Sequence, residues 1–151
     1  ICKELNLNTE IWSYDISSHE WYKDMIEMGI KVHVENIFQN NYSSINTEVI
    51  NFIQNHGTTI ILCDGGNKKL EFNLLSRYMK KYDFILAHDY APNHQYFQDH
   101  VYQKKWNWHE IEDNDIEEAC NINKLFDYMQ NELLEVAWVC KKKIDQLDSG
   151  N

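Results

Sequence analysis

A chain of 151 residues, 43% hydrophobic and 25% charged, is long enough for one globular core and ordinary in composition for a folded domain. Its net charge of −10 argues against a general nucleic-acid or anionic-membrane binder, which needs Lys and Arg gathered on one face; it suits a solvated acidic surface, the expected source of most of the charge, and also an acidic cleft that attracts a cation. The four cysteines (Cys2, Cys63, Cys120, Cys140) lack CxxC spacing, so no zinc knuckle or redox dithiol is indicated, and a reducing, cytoplasmic setting is expected.

No apolar stretch approaches bilayer length, and no signal peptide opens the chain. Ile1-Cys2-Lys3-Glu4-Leu5 reads as the end of a helix already under way, so an N-terminal truncation is expected. Glu10 to Asp15 alternates, is rich in aromatics and reads as a strand ending in an acid. Ser17-Ser18-His19-Glu20 offers a helix start with Ser18 as N-cap, and Gly29 stops that helix. Lys31 to Ile37 is a second strand, ending near Glu35-Asn36. A polar loop over Gln39 to Ser44 leads into an amphipathic helix carrying Ile45, Val49, Ile50 and Ile53, ended by Gly57.

The next strand, Thr59 to Asp64, is an apolar run that ends in an acid and two glycines, Asp64-Gly65-Gly66. A helix with Leu70, Phe72, Leu74 and Leu75 follows, then a strand over Phe84 to Ala87 that ends in His88-Asp89-Tyr90. His94 to Tyr102 reads as a short helix, Trp106 to Ile111 as a strand, and Glu112 to Glu118 as a solvated acidic turn. A helical signal around Ile122 to Met129 precedes a final strand, Val136 to Cys140, and a basic run, Lys141 to Lys143. The expected organisation is one α/β domain over residues 1–144 and a polar tail over 145–151. Strands alternating with helices predict a Rossmann-like three-layer sandwich, its sheet mainly parallel with an antiparallel C-terminal edge.

In such a sheet, parallel strands end at one edge and ligands bind in the crevice there, which would bring Asp64, His88 and Asp89 together. Two carboxylates suit a hard divalent cation, which would lower the pKa of a bound hydroxyl; an acid at a strand end also caps the next helix. His88 reads as ligand, general base or plain edge residue, and Lys68 as substrate contact, general base or solvated first-turn lysine. Asp15 ends a strand where Rossmann-like folds place an acid for ribose hydroxyls, and it equally suits a turn; Glu35 and Asn36 would lie near an adenine. Gly65 and Gly66 allow a tight turn and close backbone approach, and the absence of GxxxxGK[ST] argues against a phosphate cradle. Trp106, Trp108 and Trp138 read as core or edge-strand packing, and Tyr90 and Tyr96 as pocket walls.

The order of elements, with Asp15, Asp64-Gly65-Gly66 and His88-Asp89-Tyr90, resembles the class I S-adenosylmethionine-dependent methyltransferase fold. The six strands match that fold's second through seventh, and its first strand and Gly-rich turn would lie upstream of Ile1. Within the fold the chain is most similar to metal-dependent small-molecule O-methyltransferases and the cephalosporin hydroxylase-like group. Many of those carry Asp-Gly-x-His where this chain has Asp64-Gly65-Gly66-Asn67.

The resemblance implies methyl transfer to a hydroxyl of a small molecule or sugar. Asp64, His88 and Asp89 would be metal ligands, Mg²⁺ being the expected ion, and His88 and Lys68 catalytic residues. Asp15, Glu35, Asn36, Asp64 and Gly65 would contact S-adenosylmethionine. Neither nucleic acid nor membrane is expected as partner, and a homo-oligomer is allowed. The alternatives are a non-catalytic or degenerate Rossmann-like interaction domain, and a glycosyltransferase or hydrolase of similar form.

Overall fold

A computed structural model describes residues 5 and 7–144, and the chain divides into two compact units between Asn46 and Thr47. The expected tail at 145–151, Cys2 and most of the expected N-terminal helix end lie outside the described residues.

In the first unit, the alternating aromatic stretch forms β1 (Trp12–Asp15), followed by α1 (Tyr22–Glu27) and β2 (Lys31–Val34), which pairs parallel with β1. Ser18 does not cap α1; Trp21 holds the N-cap position without a side-chain bond. Gly29 closes the helix in the left-handed region at φ 86°, where a side chain would be strained. The expected polar loop contains a small antiparallel hairpin, β3 (Phe38–Gln39) and β4 (Ser44–Ile45).

In the second unit, α2 (Thr47–Gln54) buries Val49 and Ile53. β5 (Ile60–Cys63), α3 (Lys68–Leu75) and β6 (Phe84–His88) then form a parallel βαβ unit. Buried Asp83 ties the two strand starts together, accepting from the Thr59 and Lys80 amides at 2.8 and 2.7 Å and from the Lys80 ammonium at 2.9 Å. The chain continues through a single turn, α4 (His94–Tyr96), and a π turn at Phe97–Val101 to α5 (Asp113–Asn123), β7 (Leu125–Asp127), α6 (Gln130–Leu134) and β8 (Trp138–Lys143).

The resulting sheet is mixed, in the order β5-β6-β8-β7, with β8 antiparallel to both neighbours. Its core holds Phe72, Ile85, Ile111, Ile116 and Val139, and the thiols of Cys63 and Cys140. Burial pushes the Cys140 thiol up to about 11 and the Cys63 thiol well above its ordinary value, so both are inert packing groups at neutral pH.

Three expectations need correction. Trp106 to Ile111 is an irregular segment, not a strand; it makes only isolated bridges, Tyr102 to Trp106 and Tyr90 to Ile111. The acidic stretch after it is the start of α5, because Glu112 and Asp115 form a reciprocal capping box and acids in a first turn are stabilised by the helix dipole. The stretch expected to be helical after Ile122 turns into strand β7. Among the described residues the first unit holds the ladders β1-β2 and β3-β4, and the second the sheet β5-β6-β8-β7.

Candidate functional site

The carboxyl ends of the parallel strands β5 and β6 bring Asp64, His88 and Asp89 together in the second unit, each offering a ligand atom within 4.8 Å of the others. His88 Nδ1 lies 3.2 Å from Asp64 Oδ1 and 3.6 Å from Asp89 Oδ1. Its ring stacks on Trp138 at 4.8 Å between centroids and meets Trp106 edge-on at 5.5 Å, so two indoles fix the imidazole plane. Asp64 stays largely exposed while Asp89 is only 3% exposed, so the pair spans the boundary between solvent and core.

Asp89 sits in the left-handed region at φ 56°, which Asp tolerates better than most residues. Its surroundings over-determine that conformation. The backbone carbonyl accepts from the Glu110 and Ile111 amides, Oδ1 accepts from Trp106 Nε1 at 2.7 Å, and Oδ2 lies 2.9 Å from Lys68 Nζ.

Lys68 is the organising cation. As the first residue of α3 it reads from sequence as substrate contact, general base or solvated lysine; it is buried, with its ammonium 2.8 Å from Glu110 Oε2, 3.3 Å from the Gly65 carbonyl and 3.9 Å from Asp64. Burial alone would lower its pKa, but the hydrogen bonds and charges of Glu110 and Asp89 outweigh it and raise the value above the ordinary 10.5. A lysine held protonated in this way is a fixed positive charge and not a general base. Burial alone would raise the Asp89 pKa, but the hydrogen bond and charge of Lys68, with the Trp106 hydrogen bond, outweigh it and hold the carboxyl below its ordinary range.

The turn before α3 is shaped by close approach rather than by a positive φ. Buried Glu71 accepts from the Gly65 amide at 3.2 Å and the Asn67 amide at 3.5 Å, and a Cβ on Gly65 would collide with the Glu71 carboxylate. Burial raises the Glu71 pKa. Asn67 caps the helix, its side chain accepting from the Leu70 amide at 3.1 Å.

An open cleft of about 510 Å³ faces this site, lined by His88, Asp89, Lys105, Trp106, Asn107 and Trp108. Trp106 and Trp108 are thus exposed cleft walls rather than the packing residues expected of a strand. Tyr90, expected as a wall, is buried with its hydroxyl donating to Asp113 at 2.7 Å, and Tyr96 packs against Ala91, Phe97 and Val101.

Glu110, Glu71 and the Trp106 bond to Asp89 were not foreseen. Lys68 and Glu110 are 42 residues apart, and no local pattern encodes such a pairing.

In the first unit, the expected cofactor residues are committed locally. Asp15 Oδ1 accepts from the Ser17 amide at 3.0 Å, and that bond leads the causes that lower its pKa. Asn36 accepts from the Phe38 amide at 2.9 Å, and Glu35 lies 3.5 Å from both His33 and Asn46. The Asp15 and Asn36 bonds are turn-forming. Comparison with protein-family models, curated proteins and solved structures returns no match to this chain.

Proposed function

We propose that the second unit carries the acceptor-activating half of an S-adenosylmethionine-dependent O-methyltransferase acting on a hydroxyl of a small molecule or sugar. The observation that carries the reading is the convergence of Asp64, His88 and Asp89 at the ends of two parallel strands, beside an aromatic-walled cleft. The antiparallel β7–β8 pair next to the parallel β5–β6 pair supports a Rossmann-like, class I arrangement of the sheet.

The donor set fits a divalent cation. Neighbouring ligands about 2.1 Å from one ion lie about 3 Å apart, near the 3.2 and 3.6 Å separations from His88 Nδ1. Each carboxylate oxygen has two lone pairs, so Asp89 Oδ1 keeps one after accepting from Trp106. The imidazole donor favours Mn²⁺ or Zn²⁺ over the Mg²⁺ expected from the acids alone. When bound, such an ion polarises a substrate hydroxyl and makes its oxygen a better nucleophile.

The chain's own residues do the rest. The indoles of Trp106 and Trp138 hold the His88 ring in plane, Lys68 fixes Asp89 and Glu110, and Trp108 offers a face for a sugar or planar acceptor. For S-adenosylmethionine the fit is incomplete, because Asp15 and Asn36 each commit an oxygen to a local turn and Glu35 meets His33 and Asn46.

One observation favours a second reading, a non-catalytic domain. The Lys68 ammonium already bridges Asp89 and Glu110 and could neutralise the acids without any metal. Calorimetric titration of the 151-residue chain with Mn²⁺ separates the two. The enzyme reading expects Mn²⁺ affinity to fall more than about tenfold in Asp64→Ala and Asp89→Ala. Unchanged metal affinity in both variants would remove it in favour of the interaction domain.

A further inference from the structure

We propose that His94, His109 and Glu112 form a separate binding site for a zinc-class divalent cation, independent of the strand-end acids. One ligand atom from each of the three lies within 4.8 Å of the others. His109 Nε2 is 2.6 Å from Glu112 Oε1, a hydrogen bond in which the imidazole N–H donates to the carboxylate. A cation that takes the place of this proton, with the proton passing to Nδ1 by tautomerisation so that the ring stays neutral, needs the two atoms to part by only a few tenths of an ångström to reach the spacing of about 3 Å between neighbouring ligands. Two imidazoles and one carboxylate with the remaining position open to water is a donor set that suits Zn²⁺ better than Mg²⁺ or Ca²⁺.

The three residues come from different places and are pinned together by the backbone. His94 opens α4, His109 lies in the irregular segment before α5, and Glu112 is the N-cap of α5. The two stretches are held side by side because the Glu110 amide donates to the Asp89 carbonyl at 2.8 Å, the Ala91 amide to the Ile111 carbonyl at 3.1 Å and the Asp113 amide to the Pro92 carbonyl at 3.3 Å. The positions of the ligand-bearing residues are therefore set by the fold before any ion arrives.

Side-chain orientation is fixed as well. The His109 ring packs on Phe97 at 4.3 Å between centroids and faces His94 at 5.6 Å. The Glu112 carboxylate accepts from the Asp115 amide in the capping box, which holds it in place in the way an outer partner orients a metal ligand. His109 and Glu112 are half-buried and His94 is exposed, so the ion would sit at the surface with one side toward solvent. The Gln98 amide nitrogen stands 3.4 Å from His94 Nε2, a weak contact that is easily given up.

The test is a competition titration with Zn²⁺ against a chromophoric chelator, run on the full chain carrying Asp64→Asn and His88→Ala to silence the strand-end site. That variant is expected to keep about one tight equivalent of Zn²⁺, and adding His94→Ala is expected to weaken it at least about tenfold. Glu112→Gln keeps a capping oxygen and is expected to weaken binding likewise. Co²⁺ substitution gives an independent readout: visible absorption bands of low-symmetry cobalt are expected in the parent variant and lost with His94→Ala. Because His94 is exposed, circular dichroism of His94→Ala should match the parent. Zn²⁺ affinity that is the same with and without His94→Ala, or a parent variant that binds no Zn²⁺, would overturn the site.

Discussion

Lys68 shows how one side chain can set the character of a site. Its ammonium lies between Asp89 and Glu110, and both it and Asp89 are nearly removed from solvent, so that the Asp89 charge would be costly without it. The raised lysine contributes stability that is complete below 10.5 and is lost as pH rises through its folded value. The lowered aspartate contributes stability that is present above 3.8 and is lost as pH falls through its folded value. The pair therefore supports the fold across the whole interval between those limits. Lys68→Met keeps most of the stem's volume but strands the Asp89 charge, and a loss of about 3 kcal/mol at pH 7 is expected from urea unfolding. The deficit should shrink as the pH is taken low enough to protonate Asp89. A deficit that stays constant down to acid unfolding would mean that lost packing, not the unpaired carboxylate, is responsible.

At the scale of elements, the ends of α5 set where it starts and stops, and its N-terminal end is the part that was misread. Asp113, Asn114 and Asp115 suggest a solvated turn when only hydrophobic spacing is counted, since the apolar positions Ile116 and Ala119 begin a full turn later. The helix starts where it does because Glu112 and Asp115 satisfy each other's backbone donors, a device visible in the sequence only as two acids three residues apart. At the other end Lys124 occupies the C-cap at φ 55° and ψ 55°, a conformation that costs a residue with a Cβ about 1 kcal/mol. Lys124→Gly removes that cost, keeps the backbone bond from the Ile144 amide to residue 124, and adds some unfolded-state entropy. A net gain of about 0.5 kcal/mol is expected in chemical denaturation, and a loss instead would show that the lysine side chain holds the helix end by contacts of its own.

The same contrast runs through the other elements. β5 and β6 were legible because each is a short apolar run bounded by turn residues, and their polar ends located Asp64, His88 and Asp89. β7 is three residues long, too short for any period to emerge. Trp106 to Ile111 does alternate, but Trp106 and Trp108 are exposed, and the segment is positioned by backbone bonds to residues 89–92 rather than by a ladder. The charges around Lys68 escaped for another reason: they meet only after β5, β6 and the loop before α5 have been placed, and sequence spacing carries no trace of it.

For the molecule as a whole, the four-stranded sheet has an exposed flank. β5 is one of its two outer strands and pairs only with β6 among the described residues, and Ile60 and Leu62 are 64% and 63% exposed. The resemblance to the class I fold would place a further strand beside β5. An apolar strand with one unpaired edge can template pairing with another chain, and natural sheets blunt such edges with lysine or proline. This chain places neither within β5. Concentration-dependent self-association is therefore expected in sedimentation velocity, together with a shift toward monomer in Leu62→Lys. Because Leu62 is mostly exposed, the substitution should change unfolding stability by no more than about 0.5 kcal/mol. The measurement discriminates cleanly: a wild-type chain that stays monomeric at every concentration, or a Leu62→Lys variant that associates as strongly, would show that the β5 edge is already protected.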